Sequence, residues 1–225
     1  MLVEGAHAEI VIWNPDGSTA ELSGNGTRIA ARWLARRSSL DEVTIGVGSR
    51  LVAARMRGGA LVETEMGEVV VSPPETLDVG GEEVVITPVS VGNPHAVVRR
   101  DPDRAELLRL GPLLERHPRF PNRTNVQLVA VESRSALRVG VWERGAGETL
   151  SSGTSACAAA AAAVANGWCV SPVLVHLPGG DLTVVIDESW RATLTGPAVE
   201  ICSGVVSPEL LPGWSAGEVG PPPLG

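Results

Sequence analysis

Tyrosine is absent from this 225-residue chain and phenylalanine occurs once, so aromatic residues make up only 3% of it. That rules out a core of stacked rings; Val, Leu, Ile and Ala must fill the interior around the six Trp. Cysteine is also scarce. Cys157, Cys169 and Cys202 form an odd set without metal-ligand spacing, which argues against a disulfide framework and suits reduced thiols in a cytoplasm. Basic clusters are missing too: Arg36-Arg37 and Arg99-Arg100 are short solvated pairs in a chain of formal charge −8. Neither nucleic acid nor an anionic membrane is expected as a partner. The longest alanine-rich run, 156–165, falls well short of the roughly 20 apolar residues of a membrane span. The first residues carry neither a basic region nor an apolar stretch, so no signal peptide is expected.

What is present is mostly strand. Alternating and β-branched runs predict short strands at 8–13, 42–47, 51–56, 60–64, 84–89, 95–98, 125–131, 137–142, 173–177, 182–186 and 191–195. Three segments predict helices. Residues 24–37 place Ile29, Ala30, Trp33 and Leu34 on one apolar stripe; 153–166 end in an Asn166-Gly167 cap; a weaker pattern covers 105–115. The two strong helices follow related stretches, AELSGNGT (20–27) and ETLSSGT (148–154), each passing through Leu-Ser to glycine and a small-residue helix. This reads as a diverged internal repeat: two strand-rich halves, each wrapped around a central helix, with both helix N-termini aimed at one cleft.

A helix N-terminus offers unpaired N–H groups and about half a positive charge, a ready site for carboxylate or phosphate. Gly24, Asn25 and Gly26 at one end, and Gly153 with Thr154 at the other, let a ligand come close to the backbone. Two such ends could hold the carboxylate of an α-amino acid and set Ser23 and Ser152 on opposite sides of its α-carbon. That geometry suits two-base proton exchange. Arg144 could clamp a second carboxylate. Asn93, His95 and Asn125 add amides and an imidazole, and His95 and Glu143 could steer protonation at 23 and 152. Plainer readings stand beside these. Ser23 and Ser152 also suit N-caps, Asn14 a turn, and His95 a structural histidine. His7, His117 and His176 show no nameable partner and are read as structural.

With these stretches assembled, ERGAGETLSSGTSACAAA (143–160) resembles the second active-site signature of diaminopimelate epimerases, in the wider proline racemase and PhzF-like fold group. The likeness continues through WNPDGSTAELSGNGTR (13–28), VSVGNPHAVV (89–98), HPRFPNRTNVQLVAV (117–131), LPGGDLTV (177–184) and GPAVEICSG (196–204). The resemblance implies an α+β fold of two pseudo-symmetric, barrel-like halves. These would be residues 1–68 with 197–207, and residues 69–196, followed by a Pro/Gly-rich tail at 208–225. It implies cofactor-independent, metal-free interconversion of LL- and meso-diaminopimelate in lysine biosynthesis. The partner implied is a diamino-dicarboxylic acid, and the assembly a homodimer. Ser23 and Ser152 would be the acid–base pair, tuned by His95 and Glu143. Asn14, Gly24, Asn25, Asn93, Asn125, Glu143, Arg144, Gly153 and Thr154 would bind the substrate, Arg144 at its distal carboxylate.

Two departures qualify that expectation. The family carries cysteine at both acid–base positions, and this chain has serine. A thiol titrates near pH 8.5, whereas an alkanol is far weaker and a helix dipole contributes only about 0.3–2 kcal/mol. Epimerisation weakened at Ser23 and Ser152 is therefore expected, and Cys157, already inside the helix, cannot substitute. Two alternatives stay open: a family member that only binds an amino acid, and an isomerase or dehydratase for another amino acid. The segment with which the family usually opens, carrying a Gly-Asn-Asp-Phe turn, has no counterpart here. An incomplete first half with exposed sheet edges is the expectation that follows.

Overall fold

Strand accounts for most of the ordered backbone, as the alternating pattern predicts. In a computed structural model of the chain, the described residues are 2–4, 6–13, 17, 19, 23–205 and 207. The elements begin β1 (Leu2–Glu4), β2 (His7–Ile10), α1 (Gly24–Ser38), β3 (Glu42–Val47), β4 (Arg50–Met56), β5 (Leu61–Glu68), β6 (Val70–Val71), β7 (Glu75–Asp78), β8 (Glu83–Ser90) and β9 (Pro94–Arg99). They continue with α2 (Arg104–Glu115), β10 (Asn125–Ser133), β11 (Ala136–Glu143), β12 (Gly147–Thr149), α3 (Gly153–Ala165), β13 (Val173–Leu177), β14 (Gly180–Ile186) and β15 (Arg191–Pro197). The sheet path is β1-β2-β3-β4-β5-β15-β14-β13-β11-β10-β9-β8-β6, with β12 paired to β11 and β7 to β8. Three pairings are parallel: β2 with β3, β9 with β10, and β11 with β13. The class is α+β.

Alanine explains where α3 sits. It is the strongest helix former, and its methyl lets strands approach from every side. α3 touches β6, β8, β9, β10, β11, β13, β14 and β15, and residues 153–163 are all buried. A helix with one leucine-rich face could not be enclosed this way without voids opposite the small side. At its end, the Asn166 side chain donates to the Ala162 carbonyl and to Thr87 Oγ1, and Gly167 follows at φ 68°.

α1 touches β2, β3, β4, β5 and β15, so β15 contacts both central helices and the sheet passes from one to the other there. The buried face of α1 is Gly24, Thr27, Arg28, Ala31, Leu34 and Ala35. This corrects the stripe expected from the sequence: Leu34 is inside, but Ile29 is 63% and Trp33 42% exposed. The packed face is the small-residue face, which again lets strands come close. Arg37 covers Trp33 at 5.3 Å from the ring centroid, partly shielding it. The third helix, α2, lies outside on β10, β11 and β12 and has its own apolar cluster of Leu107, Leu110 and Leu114 with Ile86 and Leu128.

Several local expectations shift. The strand expected over 8–13 is β2, His7–Ile10, and Trp13 forms only an isolated bridge with Thr19. β1, β6, β7 and β12 had no counterpart in the pattern. The surface histidines do have partners: His7 with Glu9 at 2.7 Å, His117 with the Asp78 carbonyl at 3.1 Å, and His176 with Asp181 at 2.8 Å. Cys157, Cys169 and Cys202 are all free thiols. Among the described residues, no helix is long and apolar enough to cross a membrane. Asn14 and the tail at 208–225 lie outside the described residues.

Candidate active site

Both strong helices begin in the same way. Ser23 (φ −133°, ψ 114°) and Ser152 (φ −141°, ψ 123°) are extended residues immediately before α1 and α3. The glycines that follow them meet. A β-carbon on Gly24 would stand 3.0 Å from the Gly153 α-carbon, so the two N-termini abut with only glycine between them. Asn25 locks this junction by donating its side-chain amide to the Ser151 carbonyl at 3.2 Å. The two helix ends converge as the repeated stretches predict, and they do so backbone against backbone. Thr154, in the first turn of α3, is 6% exposed.

The serines differ in their hydrogen bonds. Ser23 Oγ accepts from the Gly26 N–H at 3.1 Å, a conventional N-cap. Ser152 makes no cap bond; its hydroxyl donates to Glu143 Oε2 at 3.3 Å. Thr149 Oγ1 donates to the other oxygen, Oε1, at 2.7 Å. Glu143 ends β11 and Thr149 ends β12, so antiparallel pairing of those strands brings a carboxylate to the head of α3.

A second polar chain runs beside it. Parallel pairing of β9 and β10 sets His95 opposite Asn125. The Asn125 amide donates to the Pro94 carbonyl at 2.9 Å, and its oxygen accepts the Arg144 N–H at 3.0 Å. His95 is 1% exposed. Its Nε2 donates to Asn93 Oδ1 at 2.9 Å, and its Nδ1 accepts from Gln127 Nε2 at 3.1 Å. The same Gln127 nitrogen donates to Ser155 Oγ on α3 at 3.0 Å. Burial pushes the imidazolium down to about 3, with the Gln127 hydrogen bond opposing and the Arg144 charge adding. His95 is therefore neutral near pH 7. Among the described residues it bonds to neither Ser23 nor Ser152.

The Arg144 guanidinium is exposed and donates to the Asn122 carbonyl at 3.4 Å, leaving most of its donors toward solvent. Its turn is held from α2: Glu115, 3% exposed, accepts from Gly145 N–H at 3.0 Å and Trp142 Nε1 at 2.8 Å. Two clefts meet at Gly92, just before the Asn93–His95 turn. One of about 310 Å³ is walled by Ser90, Asn93, His95, Arg119 and Phe120. The other, about 750 Å³, lies against Ile10, Ile12, Val47 and Arg50, and Gly92 borders both. Neither cleft has Ser23 or Ser152 in its wall. Among the described residues, no three His, Cys, Asp or Glu side chains gather as a metal ion would require.

Comparison with known proteins gives the family. A family model described as diaminopimelate epimerase matches residues 87–201. The diaminopimelate epimerase of Magnetococcus marinus is 40% identical over 219 residues, covering 90% of this chain and 78% of the relative. That of Pseudomonas syringae pv. syringae is 40% identical over 211 residues, covering 87% and 76%. The chain belongs to the diaminopimelate epimerase family.

Membership places it among the isomerases, and solved structures agree on the fold. A predicted epimerase from Pseudomonas aeruginosa superposes with a TM-score of 0.67 at 18% identity, covering 86% of this chain and 77% of the other. A hydroxyproline epimerase from Agrobacterium vitis gives 0.65 at 19%, covering 84% and 67%. Against this diaminopimelate epimerase background, the residues that sequence reasoning missed are supporting ones: Arg28, Glu115, Gln127, Thr149 and Ser155. Gln127 had a usable signal, since it shares the inward register of β10 with Asn125 and Val129. Arg28 had one as well, falling four residues after Gly24 on the small-residue face of α1.

Proposed function

We propose that this chain is a cofactor-independent amino-acid epimerase acting on diaminopimelate and interconverting its LL and meso forms at a rate limited by serine. The observation that carries this reading is the junction itself: two helix N-termini abutting at Gly24 and Gly153, with Ser23 before one and Ser152 before the other. Unpaired N–H groups on both sides favour the substrate's α-carboxylate. The exposed Arg144 guanidinium suits the distal carboxylate. Glu143 can take the proton of Ser152 as that hydroxyl removes the α-proton, which partly offsets the weak acidity of an alkanol. Asn93, His95 and Asn125 form the polar wall beside the reacting centre. The two halves proposed are residues 1–68 with 197–207, and residues 69–196.

One observation favours a second reading. Among the described residues, only Ser152 of the two is coupled to a carboxylate, while Ser23 is occupied in capping. A reaction needing one proton-transfer group, an isomerisation or dehydration of another amino acid, fits that asymmetry.

The two separate in deuterium oxide. LL-diaminopimelate incubated with the chain should gain deuterium at one α-carbon with inversion, followed by NMR and chiral chromatography. Ser23→Cys with Ser152→Cys should raise that rate by orders of magnitude, because the thiol is the stronger acid. Exchange with retention supports the one-base reading. Binding seen by calorimetry with no exchange, even in the double-cysteine chain, rejects both.

A further inference from the structure

Arg28 is a charged side chain in a place that ordinarily excludes one. It is 4% exposed and lies between the two central helices. Its Nη1 is 3.6 Å from where a β-carbon of either Gly24 or Gly153 would stand, and its Nε is 3.2 Å from the corresponding point on Gly196. Gly196 thus leaves room for the guanidinium, which rests in ordinary van der Waals contact with the Gly24–Gly153 junction. Nη2 donates to Asn25 Oδ1 at 2.6 Å, and Asn25 in turn reaches the Ser151 carbonyl, while Nε and Nη1 are buried with no hydrogen-bond partner among the described residues.

Among the described residues the charge is uncompensated as well. A cation beside two helix N-termini has the sign of both dipoles, the arrangement helix ends disfavour. Cys157 on α3 is the titratable group that acts on it. Burial pushes that thiol up to about 12, so it is neutral and no counter-ion. From β2, β3, β4, β5 and β15 no charged side chain of the described residues acts on Arg28, and Glu143 on β11 reaches Ser152 rather than the guanidinium. A buried, uncompensated cation survives where an anion forms or binds beside it.

We infer that Arg28 is a positioning residue whose fixed positive charge stabilises negative charge on the groups at positions 23 and 152. It sits against the residue that follows each serine, so one cation serves both helix ends. Through Asn25 it also holds α1 to the residue preceding Ser152. This rests on the acid–base reading of those serines but makes a demand that needs no turnover.

The test introduces a titratable reporter. In a Cys202→Ser background, which removes the exposed thiol, Ser152→Cys and Ser23→Cys are made separately with Arg28, Arg28→Lys, Arg28→Gln and Arg28→Met. Thiolate absorbance and alkylation rate are followed against pH. With Arg28 or Arg28→Lys the midpoint should be low; with either neutral replacement it should rise by about one unit or more. Should the neutral variants not fold, the Arg28 Nε resonance in the arginine-containing Ser152→Cys chain should titrate together with the thiol. Equal midpoints with and without the charge, or a flat Arg28 resonance, overturn the inference. The readout uses no substrate: a normal midpoint shift with no α-proton exchange would sink the epimerase proposal and leave the role of Arg28 standing.

Discussion

Gly24 and Gly153 touch across the boundary between the two central helices: a β-carbon on Gly153 would lie 3.0 Å from the Gly24 α-carbon and 2.9 Å from Leu194 Cδ2. Backbone cannot retreat from such a contact as a flexible side chain can. Gly153→Ala should therefore push the helix ends apart, cost about 1–3 kcal/mol in urea unfolding, and remove α-proton exchange. Gly26→Ala is the control. Its β-carbon would meet nothing closer than 3.4 Å, so its effect should stay within about 0.5 kcal/mol. Equal losses at both positions would mean the junction is not tight.

The different hydrogen bonds of the two serines predict a crossed pattern. Ser23→Ala removes the cap bond from Gly26 and should cost about 1 kcal/mol of stability. Ser152→Ala removes no cap bond and should cost less, yet it deletes the hydroxyl coupled to Glu143 and should depress α-proton exchange more. Thermal melts and deuterium incorporation on the same two variants check this. The same ranking in both measurements would contradict it.

The parts of this arrangement that were legible in the sequence are those that depend on local chemistry. The polyalanine run announces an enclosed helix, and Leu-Ser-Gly before each helix announces its start. The resemblance to the family is read from the same stretches. What was hidden depends on tertiary surroundings. Ile29 and Trp33 read as a core stripe because apolar spacing identifies an amphipathic helix without saying which flank a sheet will cover. Arg28 falls on the small-residue face of α1, but charge normally stays in water, and only the tertiary placement of Gly196 shows the room made for it. Gln127 reads as an ordinary strand residue until β9 and α3 bring His95 and Ser155 to it. β6, at two residues, is too short for any periodicity to register.

Burial of His95 sets a pH dependence of stability. Its folded-state pKa is about 3 against an ordinary value of 6.5. Between those values the unfolded chain binds a proton that the folded chain refuses, so stability rises with pH across the window and is lost as pH falls from 6.5 toward 3. Unfolding free energies from denaturant titrations between pH 7 and about 4 should show this slope. His95→Gln should flatten it in the same window. An unchanged slope in that variant would assign the effect to the carboxylates instead.

The enclosure of α3 predicts which thiols can react. Cys157 is 0% and Cys169 2% exposed, and burial raises both thiols above their usual value, Cys157 to about 12. Cys202 is exposed. Reaction needs both a thiolate and access. Iodoacetamide at mildly alkaline pH should therefore label Cys202 in the native chain and spare the other two, while all three react in urea; peptide mass spectrometry distinguishes them. Cys157 is the informative one, because it lies on α3 one turn inward from Ser152 and the strands packed on α3 surround it. Native labelling of Cys157 at a rate near that of Cys202 would mean that the sheet opens around α3. The helix end carrying Ser152 would then be no rigid platform for chemistry.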